Sequence, residues 1–253
     1  MQKSSQDTPV NQTQTEKIHA YLAHCGVASR RRAEELVSQG KVTINGKKAI
    51  IGQRINPEND IVAVDGKPLR NTVKSMYFLL HKPAGYVSTT NDELGRPTVL
   101  SLLPKALLKQ VGRLYPVGRL DIDSEGLLLL TNDGALAQKL THPSFEVTKT
   151  YHVQLDRQPS GKALSHLHRG VKLKDGLAMV DSIDPLHENH PIDQVWFSLT
   201  VHEGRNRLIR RLWERLGYDV KRLIRVSFGE FSLDQLRGKR WIQVEKSALE
   251  QTA

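Results

Sequence analysis

The sequence predicts an α+β fold: a small N-terminal unit of two helices followed by hairpins, and a larger domain built on a mixed, mostly antiparallel sheet with flanking helices. Segments with strand patterning outnumber segments with helical periodicity along the 253 residues. The dipeptides Asn45-Gly46 and Asp65-Gly66 are strong signals for two-residue hairpin turns. Strands joined by so few helices favour antiparallel pairing over the strand–helix–strand units of a parallel sheet.

Charge and cysteine content narrow the class of partner and the compartment. The chain has 37 Lys and Arg against 27 Asp and Glu, a net charge of +10, which favours nucleic acid as a partner first and an anionic membrane surface second. Its single cysteine, Cys25, excludes an internal disulfide framework and a thiolate metal cluster, and it fits a reducing cytoplasm. Because no apolar run of membrane length and no secretory signal pattern occurs, we expect a cytoplasmic protein that makes no use of a membrane.

The N-terminal unit is predicted to span residues 16–70, between a disordered tail at 1–15 and a linker at 71–75. The tail is polar, so it has almost no apolar surface with which to offset the entropy of ordering it. The larger domain is then predicted to extend over residues 76–247.

Two helices open the N-terminal unit. Apolar residues from Ile18 to Cys25 have the spacing of one helical face, and Gly26 is placed to end that helix. Ser29 is a suitable N-cap for a second helix over Arg30–Gln39. The two hairpins follow this second helix.

Three consecutive arginines, Arg30 to Arg32, open the second helix. Cations at a helix N-terminus oppose the macrodipole, and a bound phosphate would offset that cost. The sequence therefore predicts an RNA- or DNA-binding surface here, while a solvated basic face remains the alternative.

The larger domain alternates strands and helices without a short-period repeat. Its predicted strands are Met76–Leu80, Leu127–Leu130, Thr148–Leu155, Val171–Leu173, Ala178–Ile183, Gln194–Val201, Val220–Val226 and Trp241–Glu245. Its predicted helices are Thr98–Leu103, Ala135–Leu140, Ser160–Leu167 and Asn206–Leu216.

An acidic stretch, residues 118–134, is the first place to look for chemistry. Asp121, Asp123 and Glu125 precede four consecutive leucines that are predicted to form a buried strand. A carboxylate held beside such a strand is costly unless a cation or a donor pairs with it. Gly118 and Gly126 are predicted to be the turns that carry the acidic residues into a cleft.

A basic stretch, residues 204–225, offers the matching cations. It holds eight Lys and Arg against two acidic residues, a difference of +6. On the predicted helix, Arg210 lies between the apolar face and the polar face, so it could point into a cleft. A solvated basic helix that binds only the nucleic-acid backbone is the alternative.

Four ordered motifs in the larger domain resemble those of pseudouridine synthases. They are Gly118-Arg119-Leu120-Asp121, Lys149-Thr150-Tyr151, Gly204-Arg205-Asn206-Arg207-Leu208-Ile209-Arg210-Arg211, and Val220-Lys221-Arg222-Leu223-Ile224-Arg225 followed by Gly229. His81-Lys82-Pro83-Ala84-Gly85 and Gly95-Arg96-Pro97-Thr98-Val99 add agreement. The N-terminal unit resembles the S4 RNA-binding domain. Together the match, over about residues 16 to 245, is to the ribosomal-RNA branch of the family, on the side of its large-subunit enzymes.

The resemblance implies isomerisation of one uridine of ribosomal RNA to pseudouridine, with no cofactor and no metal. Asp121 would be the catalytic carboxylate, and Arg210 the cation that keeps it ionised in a water-poor pocket. Tyr151 would stack on the target base, and Leu223 would form an apolar floor. The cations expected to bind RNA are Arg30, Arg31, Arg32, Lys41, Arg119, Arg205, Arg207 and Arg225.

The resemblance also implies partners. The target uridine would have to leave its helix or loop, so base flipping is expected. The substrate would be ribosomal RNA or an assembling ribosomal subunit, bound by a monomeric enzyme.

Two other functions stay open from the residues alone. A non-catalytic RNA-binding ribosome-assembly factor would need only the N-terminal unit and the basic helix. A hydrolase would use Asp121 with Asp123 or Glu125 as a carboxylate pair, and the basic helix would then have no role. The segment His187-Glu188-Asn189-His190 lies beside prolines and is predicted to be a loop without a metal.

Overall fold

The computed structural model of the chain describes residues 15–69, 74–186 and 194–250. The chain divides into two compact units between Lys74 and Ser75, and each is described by itself. The predicted tail up to residue 14, most of the predicted linker and the segment His187–His190 lie outside the described residues. No helix within the described ranges is both long enough and apolar enough to cross a membrane.

The first unit is a pair of helices packed on short antiparallel strands. Its elements, in order, are β1 (Glu16–Lys17), α1 (Ile18–His24), α2 (Arg30–Ser38), β2 (Val42–Ile44), β3 (Lys47–Lys48), β4 (Arg54–Ile55), β5 (Val62–Val64) and β6 (Lys67–Pro68). Strands β3, β2, β5 and β6 form one sheet in that order, and β1 pairs with β4. This confirms the predicted arrangement of helix, helix and hairpins.

Local signals explain why this unit folds as it does. The side chain of Ser29 accepts a hydrogen bond of 3.1 Å from the main-chain N–H of Arg32 and so caps α2. Asn45 and Asp65 have φ values of 51° and 47°, as the first residue of a type I′ hairpin turn requires. The buried face of α1, which includes Leu22 at 0% exposure, packs with α2 and the strands into one core.

The second unit is one large sheet with helices packed against it. Its strands are β7 (Tyr77–Lys82), β8 (Tyr115–Pro116), β9 (Glu125–Thr131), β10 (Lys149–Leu155), β11 (Val171–Leu173), β12 (Gly176–Ala178), β13 (Ser182–Leu186), β14 (Val195–Val201), β15 (Val220–Phe228), β16 (Phe231–Ser232) and β17 (Trp241–Val244). Its α-helices are α3 (Lys105–Val111), α4 (Gly134–Thr141), α5 (Gly161–Arg169), α6 (Leu208–Arg215) and α7 (Lys246–Glu250). Short 3₁₀ turns lie at Val99–Leu102, Pro143–Phe145 and Leu233–Leu236.

The large sheet is mixed and mostly antiparallel, which confirms the predicted fold class. Its main path runs β13-β14-β10-β15-β9-β7-β17, with β8 on β9 and β16 on β15. Strands β9 and β15 pair in parallel through Glu125 with Ile224 and Gly126 with Arg225. The other strand pairs described for this sheet are antiparallel. The parallel pair therefore joins two halves of the sheet.

The run of four leucines in β9 is buried on both faces of the sheet. Leu127 and Leu129 pack in one apolar cluster, whereas Leu128 and Leu130 pack in another. Successive side chains of a strand point to opposite faces, so a strand covered on both sides is apolar at every position. The predicted buried strand is confirmed.

The structure differs from the sequence-based expectations at three elements. The single strand expected over residues 178–183 is two strands, because β12 pairs with β11 in a separate hairpin while β13 pairs with β14 in the large sheet. Helix α3 was not predicted; it begins directly after Pro104, and no side chain caps it. Gly126 lies inside β9 and is not a turn.

Candidate active site

The acidic loop before β9 is fixed by hydrogen bonds from the side chain of Lys82, the last residue of β7, and from the main chain that follows it. The ammonium group of Lys82, which is fully buried, donates to the main-chain oxygens of Asp121 (2.9 Å) and Ser124 (2.5 Å). The N–H of Gly85 donates to the main-chain oxygen of Ile122 at 2.7 Å. Burial lowers the pKa of Lys82 to about 8, while the neighbouring carboxylates oppose that shift. Lys82 is therefore a loop-anchoring residue to which the sequence motif alone assigned no role.

Ser88 holds the other end of this loop. Its hydroxyl accepts from the N–H of Leu120 at 3.1 Å and donates to the carbonyl of the same residue at 2.7 Å. Both residues are buried. With Lys82 on one side and Ser88 on the other, the main chain at Asp121 has little freedom to move.

Gly126 lets β9 and β15 come close together just behind the loop. A Cβ atom at this position would lie 2.2 Å from the carbonyl oxygen of Arg225, far inside any real contact distance. The φ angle of Gly126 is +108°, which side chains rarely tolerate. Close strand approach, and not a turn, is thus the reason for glycine here, and it brings the acidic loop against β15.

Arg207, which directly precedes α6, and Arg210 within α6 supply cations to the acidic loop. Nη1 of Arg207 lies 3.7 Å from Oδ2 of Asp121 and 3.3 Å from Oδ1 of Asp123. Nε of Arg210 lies 3.3 Å from Oδ2 of Asp123, and its Nη groups donate to the main-chain oxygens of Asp123 (3.1 Å) and Val220 (2.8 Å). The ion pair expected between Arg210 and Asp121 is therefore replaced by one from Arg207, while Arg210 secures the loop from behind.

A cleft of about 730 Å³ opens over Asp121. Seven of the eight predicted site residues of this unit line it: Asp121, Tyr151, Leu223, Arg119, Arg205, Arg207 and Arg225. Arg210 is not among the lining residues. Tyr151 is half-buried on β10, and Leu223, with 5% of its surface exposed, lies on the adjacent strand β15.

The arginines that line the cleft differ in their exposure and in their contacts with the protein. Arg119 is exposed. Arg225 is 2% exposed, its Nε donates to the main-chain oxygen of Leu127 at 2.8 Å, and its guanidinium lies 5.1 Å from the ring centre of Phe228. It therefore supports β9 from inside the unit. This internal contact was not expected from its place in the basic stretch.

Lys149, next to Tyr151 in the sequence motif, also lines the cleft. Its ammonium group donates to the main-chain oxygens of Val147 (2.5 Å) and His202 (2.9 Å). Burial, and then the charge of Arg225, lower its pKa to about 8. The sequence motif contained this residue, but nothing in the sequence showed that it would be half-buried at the cleft.

The predicted RNA-binding cations of the first unit lie on its surface. Arg30, Arg31 and Lys41 are exposed, and Arg32 forms an ion pair with Glu35 one turn along α2. Exposed cations at a helix N-terminus can meet phosphate groups with little rearrangement.

Taken together, the second unit presents a carboxylate, a guanidinium, a phenol and an apolar floor around one cleft. The Asp121 side chain is 28% exposed, so a ligand in the cleft can reach it. A cleft of this size holds a ligand as large as a nucleotide. Within the described residues no group of three His, Cys, Asp or Glu side chains is arranged to hold a metal ion.

Comparison with known proteins places this architecture in a family. A family model described as RNA pseudouridylate synthase matches residues 76–215, and the S4 domain model matches residues 16–62. Ribosomal large subunit pseudouridine synthase B of Bacillus subtilis (strain 168) is 40% identical over 224 residues, which cover 88% of this chain and 88% of that protein. The protein of the same name from Escherichia coli (strain K12) is 41% identical over 224 residues, covering 87% of this chain and 75% of that protein.

Two further comparisons extend over more of the chain. An uncharacterized RNA pseudouridine synthase of Aquifex aeolicus (strain VF5) is 37% identical over 237 residues, which cover 93% of this chain and 92% of that protein. A solved structure titled "Crystal structure of pseudouridylate synthase" superposes with a TM-score of 0.63 at 27% identity, covering 94% of this chain and 99% of that one. The matches in sequence and in fold agree with the site geometry, and the chain belongs to the RNA pseudouridylate synthase family, with an S4 domain ahead of its catalytic unit.

Proposed function

We propose that this enzyme isomerises one uridine in the RNA of the large ribosomal subunit, with Asp121 as the catalytic carboxylate. The observation that carries this proposal is the position of Asp121: its carboxylate faces an open cleft at 3.7 Å from Arg207, on a loop held by buried Lys82. The large-subunit substrate is proposed because relatives with that name are about 40% identical over most of both chains.

The reaction breaks the C1′–N1 bond of the nucleoside and forms a C1′–C5 bond, while a proton leaves C5 and another is gained at N1. Asp121 can act as the nucleophile or as the anion that stabilises a developing positive charge. Arg207 places a positive charge 3.7 Å from this carboxylate. Arg210 supports it by holding the main chain of Asp123.

Tyr151 and Leu223 are proposed to hold the uracil ring. Both line the cleft, and they come from the adjacent strands β10 and β15. The ring of Tyr151 would stack on the base, and the hydroxyl would remain available for proton transfer. A base can enter this cleft only after it has left its helix or loop, so the proposal includes base flipping.

RNA binding is proposed to use both units. In the S4 domain the exposed residues Arg30, Arg31 and Lys41 would contact phosphates, and Arg32 would do so after exchanging its pairing with Glu35. In the catalytic unit Arg119 and Arg207 are proposed to contact the strand on either side of the target. We further infer a monomeric, cytoplasmic enzyme that acts on ribosomal RNA or an assembling subunit.

The competing functions are less well supported by the site. A hydrolase would require Asp123 or Glu125 as a second working carboxylate. Asp123 is held by two arginines, and Arg222 binds Glu125 through two hydrogen bonds of 3.0 Å. A non-catalytic assembly factor would have no need for a carboxylate in a cleft.

The decisive experiment uses Asp121→Asn, which keeps the shape of the side chain and removes its charge. We expect uridine isomerisation in large-subunit RNA fragments to be abolished while RNA affinity stays within a few fold of the unchanged protein. Asp181→Asn, an exposed carboxylate paired with His202, is the matched control and should retain activity. Activity that survives Asp121→Asn would overturn the assignment.

A pseudouridine map of ribosomal RNA from cells that lack the gene identifies the substrate. One missing site in the large-subunit RNA is expected. An unchanged map would instead support the assembly-factor function, and a site missing from the small-subunit RNA would correct the proposed substrate.

A further inference from the structure

Asp175, in the turn of the β11–β12 hairpin, contacts two arginines that flank Arg207, the residue beside Asp121. Residues Lys174 and Asp175 connect the two strands of the hairpin. Asp175 lies 30 and 36 positions ahead of Arg205 and Arg211 in the chain, yet it contacts both. It belongs to none of the motifs that the sequence analysis singled out.

The contact with Arg211 is the stronger one. Nη1 and Nη2 of Arg211 both donate to Oδ2 of Asp175 at 3.0 Å. These hydrogen bonds hold the pKa of Asp175 below its ordinary value. The carboxylate therefore binds the first turn of α6 through both terminal nitrogens of Arg211.

The contacts with Arg205 take up its whole guanidinium. Nη1 lies 3.5 Å from Oδ1 of Asp175, Nη2 donates to the main-chain oxygen of Leu177 at 2.7 Å, and Nε donates to Glu203 at 2.5 Å. Since every nitrogen of this group has a protein partner, Arg205 is bound to the hairpin. Its expected role as a phosphate ligand would require it to give up these contacts.

Arg207 lies between these two anchors. Its φ of 48° is unfavourable for a residue other than glycine, and no side chain caps the helix that it precedes. The N–H of Leu208 donates to the carbonyl of Arg205, and the N–H of Arg211 donates to the carbonyl of Arg207. The anchored residues on either side are thus linked through the main chain to Arg207, whose own conformation needs support.

The distribution of charge also connects Asp175 with the position of Arg207. Asp175 compensates Arg205 and Arg211, which point to the hairpin, and Arg207 and Arg210 remain to face Asp121 and Asp123. Without Asp175, Arg205 and Arg211 would lose this carboxylate and could compete for the carboxylates of the acidic loop.

We propose that Asp175 is a positioning residue for the isomerisation: by anchoring Arg205 and Arg211 to the β11–β12 hairpin, it sets the place of the Arg207 guanidinium beside Asp121. This inference rests on the proposed function, in which Asp121 and Arg207 act on the uridine. Asp175 itself does not line the cleft, so it is proposed to act through Arg205 and Arg211.

The test is a double-mutant cycle on the 253-residue chain with a large-subunit RNA fragment that contains the target uridine. Asp175→Ala is expected to lower kcat roughly tenfold, as a small misplacement of a catalytic group does, and to change KM by less than about twofold. In an Arg207→Gln background, Asp175→Ala should cause no further loss beyond about twofold. If Asp175→Ala lowers kcat by the same factor in the unchanged protein and in Arg207→Gln, the proposal is overturned.

Two more variants distinguish a loss of positioning from a general loss of stability. Arg211→Gln breaks the same contact from the helix side, and it should reproduce the kcat loss and its dependence on Arg207. Asp156→Ala removes a comparable carboxylate, bonded to Arg157 and to the N–H of Asp219, and should lower thermal stability without lowering kcat. A loss of melting temperature alone in Asp175→Ala and Arg211→Gln would refute the positioning role.

The failure of the positioning role and the failure of the proposed function give different results. If Asp121→Asn abolishes isomerisation but Asp175→Ala and Arg207→Gln act additively, only the positioning role fails. If Asp121→Asn remains active, the proposed function itself fails.

Discussion

The ammonium group of Lys82 donates a 2.9 Å hydrogen bond to the main-chain oxygen of Asp121. A buried lysine without a carboxylate partner is unusual, because the charged form loses its hydration. Main-chain oxygens replace that hydration here, and the lysine in turn holds the loop that presents the proposed catalytic carboxylate.

Replacing Lys82 by methionine keeps most of its volume and removes its hydrogen bonds. The carbonyls of Pro83, Asp121 and Ser124 would lose a donor. We expect the free energy of unfolding to fall by about 1–3 kcal/mol, and kcat to fall roughly 10- to 100-fold as the loop shifts. Urea unfolding and single-turnover kinetics measure the two effects. Lys109→Met, at an exposed site on α3, should change neither.

The pH dependence of stability follows from the lowered pKa of Lys82. The group titrates at about 8 in the folded protein and at 10.5 in the reference state. Between these values the unfolded chain binds more protons, so the free energy of unfolding should rise with pH from about 8 to 10.5. The difference between the unchanged protein and Lys82→Met isolates this contribution, since Lys149 titrates in both. A difference that stays flat or falls over this range would contradict the assignment.

Gly126→Ala is expected to be the most damaging glycine substitution near the site. The new Cβ would lie 2.2 Å from the main-chain oxygen of Arg225, at a φ of +108°, so the parallel strand pair would have to separate. We expect a loss of at least about 3 kcal/mol in the free energy of unfolding.

Gly118→Ala is the matched control for that substitution. Its φ is +72°, but its Cβ would meet only a methyl group of Thr141, at an ordinary 3.7 Å. The loss should be about 1–2 kcal/mol, the cost of the backbone conformation alone. Equal losses in the two variants, measured by urea unfolding, would show that strand approach is not the constraint at Gly126.

Removing the charges of Arg30 and Arg31 tests the RNA surface of the S4 domain. We expect the slope of log K against log salt concentration to become shallower by about one unit per arginine, because each phosphate contact releases counterions. At saturating RNA, kcat should not change. Lys105→Gln, which removes an exposed cation from α3, is the control. If the double variant has the same slope as the unchanged protein, Arg30 and Arg31 do not contact RNA phosphates.

Much of the fold followed from local patterns. Four leucines in a row specified β9, and Ser29 specified the start of α2, because both signals depend only on neighbouring residues. The structural role of Gly126 could not be predicted from its neighbours in the sequence. A glycine can mark a turn or a close approach, and only the pairing of β9 with β15 distinguishes the two.

The cleft could be predicted only in part, for a similar reason. The motifs named Asp121, Tyr151 and Leu223, and these residues do line one cleft. Which arginine reaches Asp121 depends on the conformation of Arg207 and on the Asp175 contacts, about thirty positions away in the chain. The burial of Lys82 likewise depends on carbonyls supplied by a loop some forty residues later.

The parallel pairing of β9 with β15 has a consequence for how activity arises during folding. Asp121 precedes one of these strands, and Arg207 and Arg210 precede the other, so the carboxylate and its cations belong to separate halves of the sheet. The half that contains β15 has one apolar cluster and the half that contains β9 has another, while a third cluster joins residues of both halves. The charges therefore meet only when the two halves have joined. We therefore expect a chain truncated before β15 to show no isomerase activity.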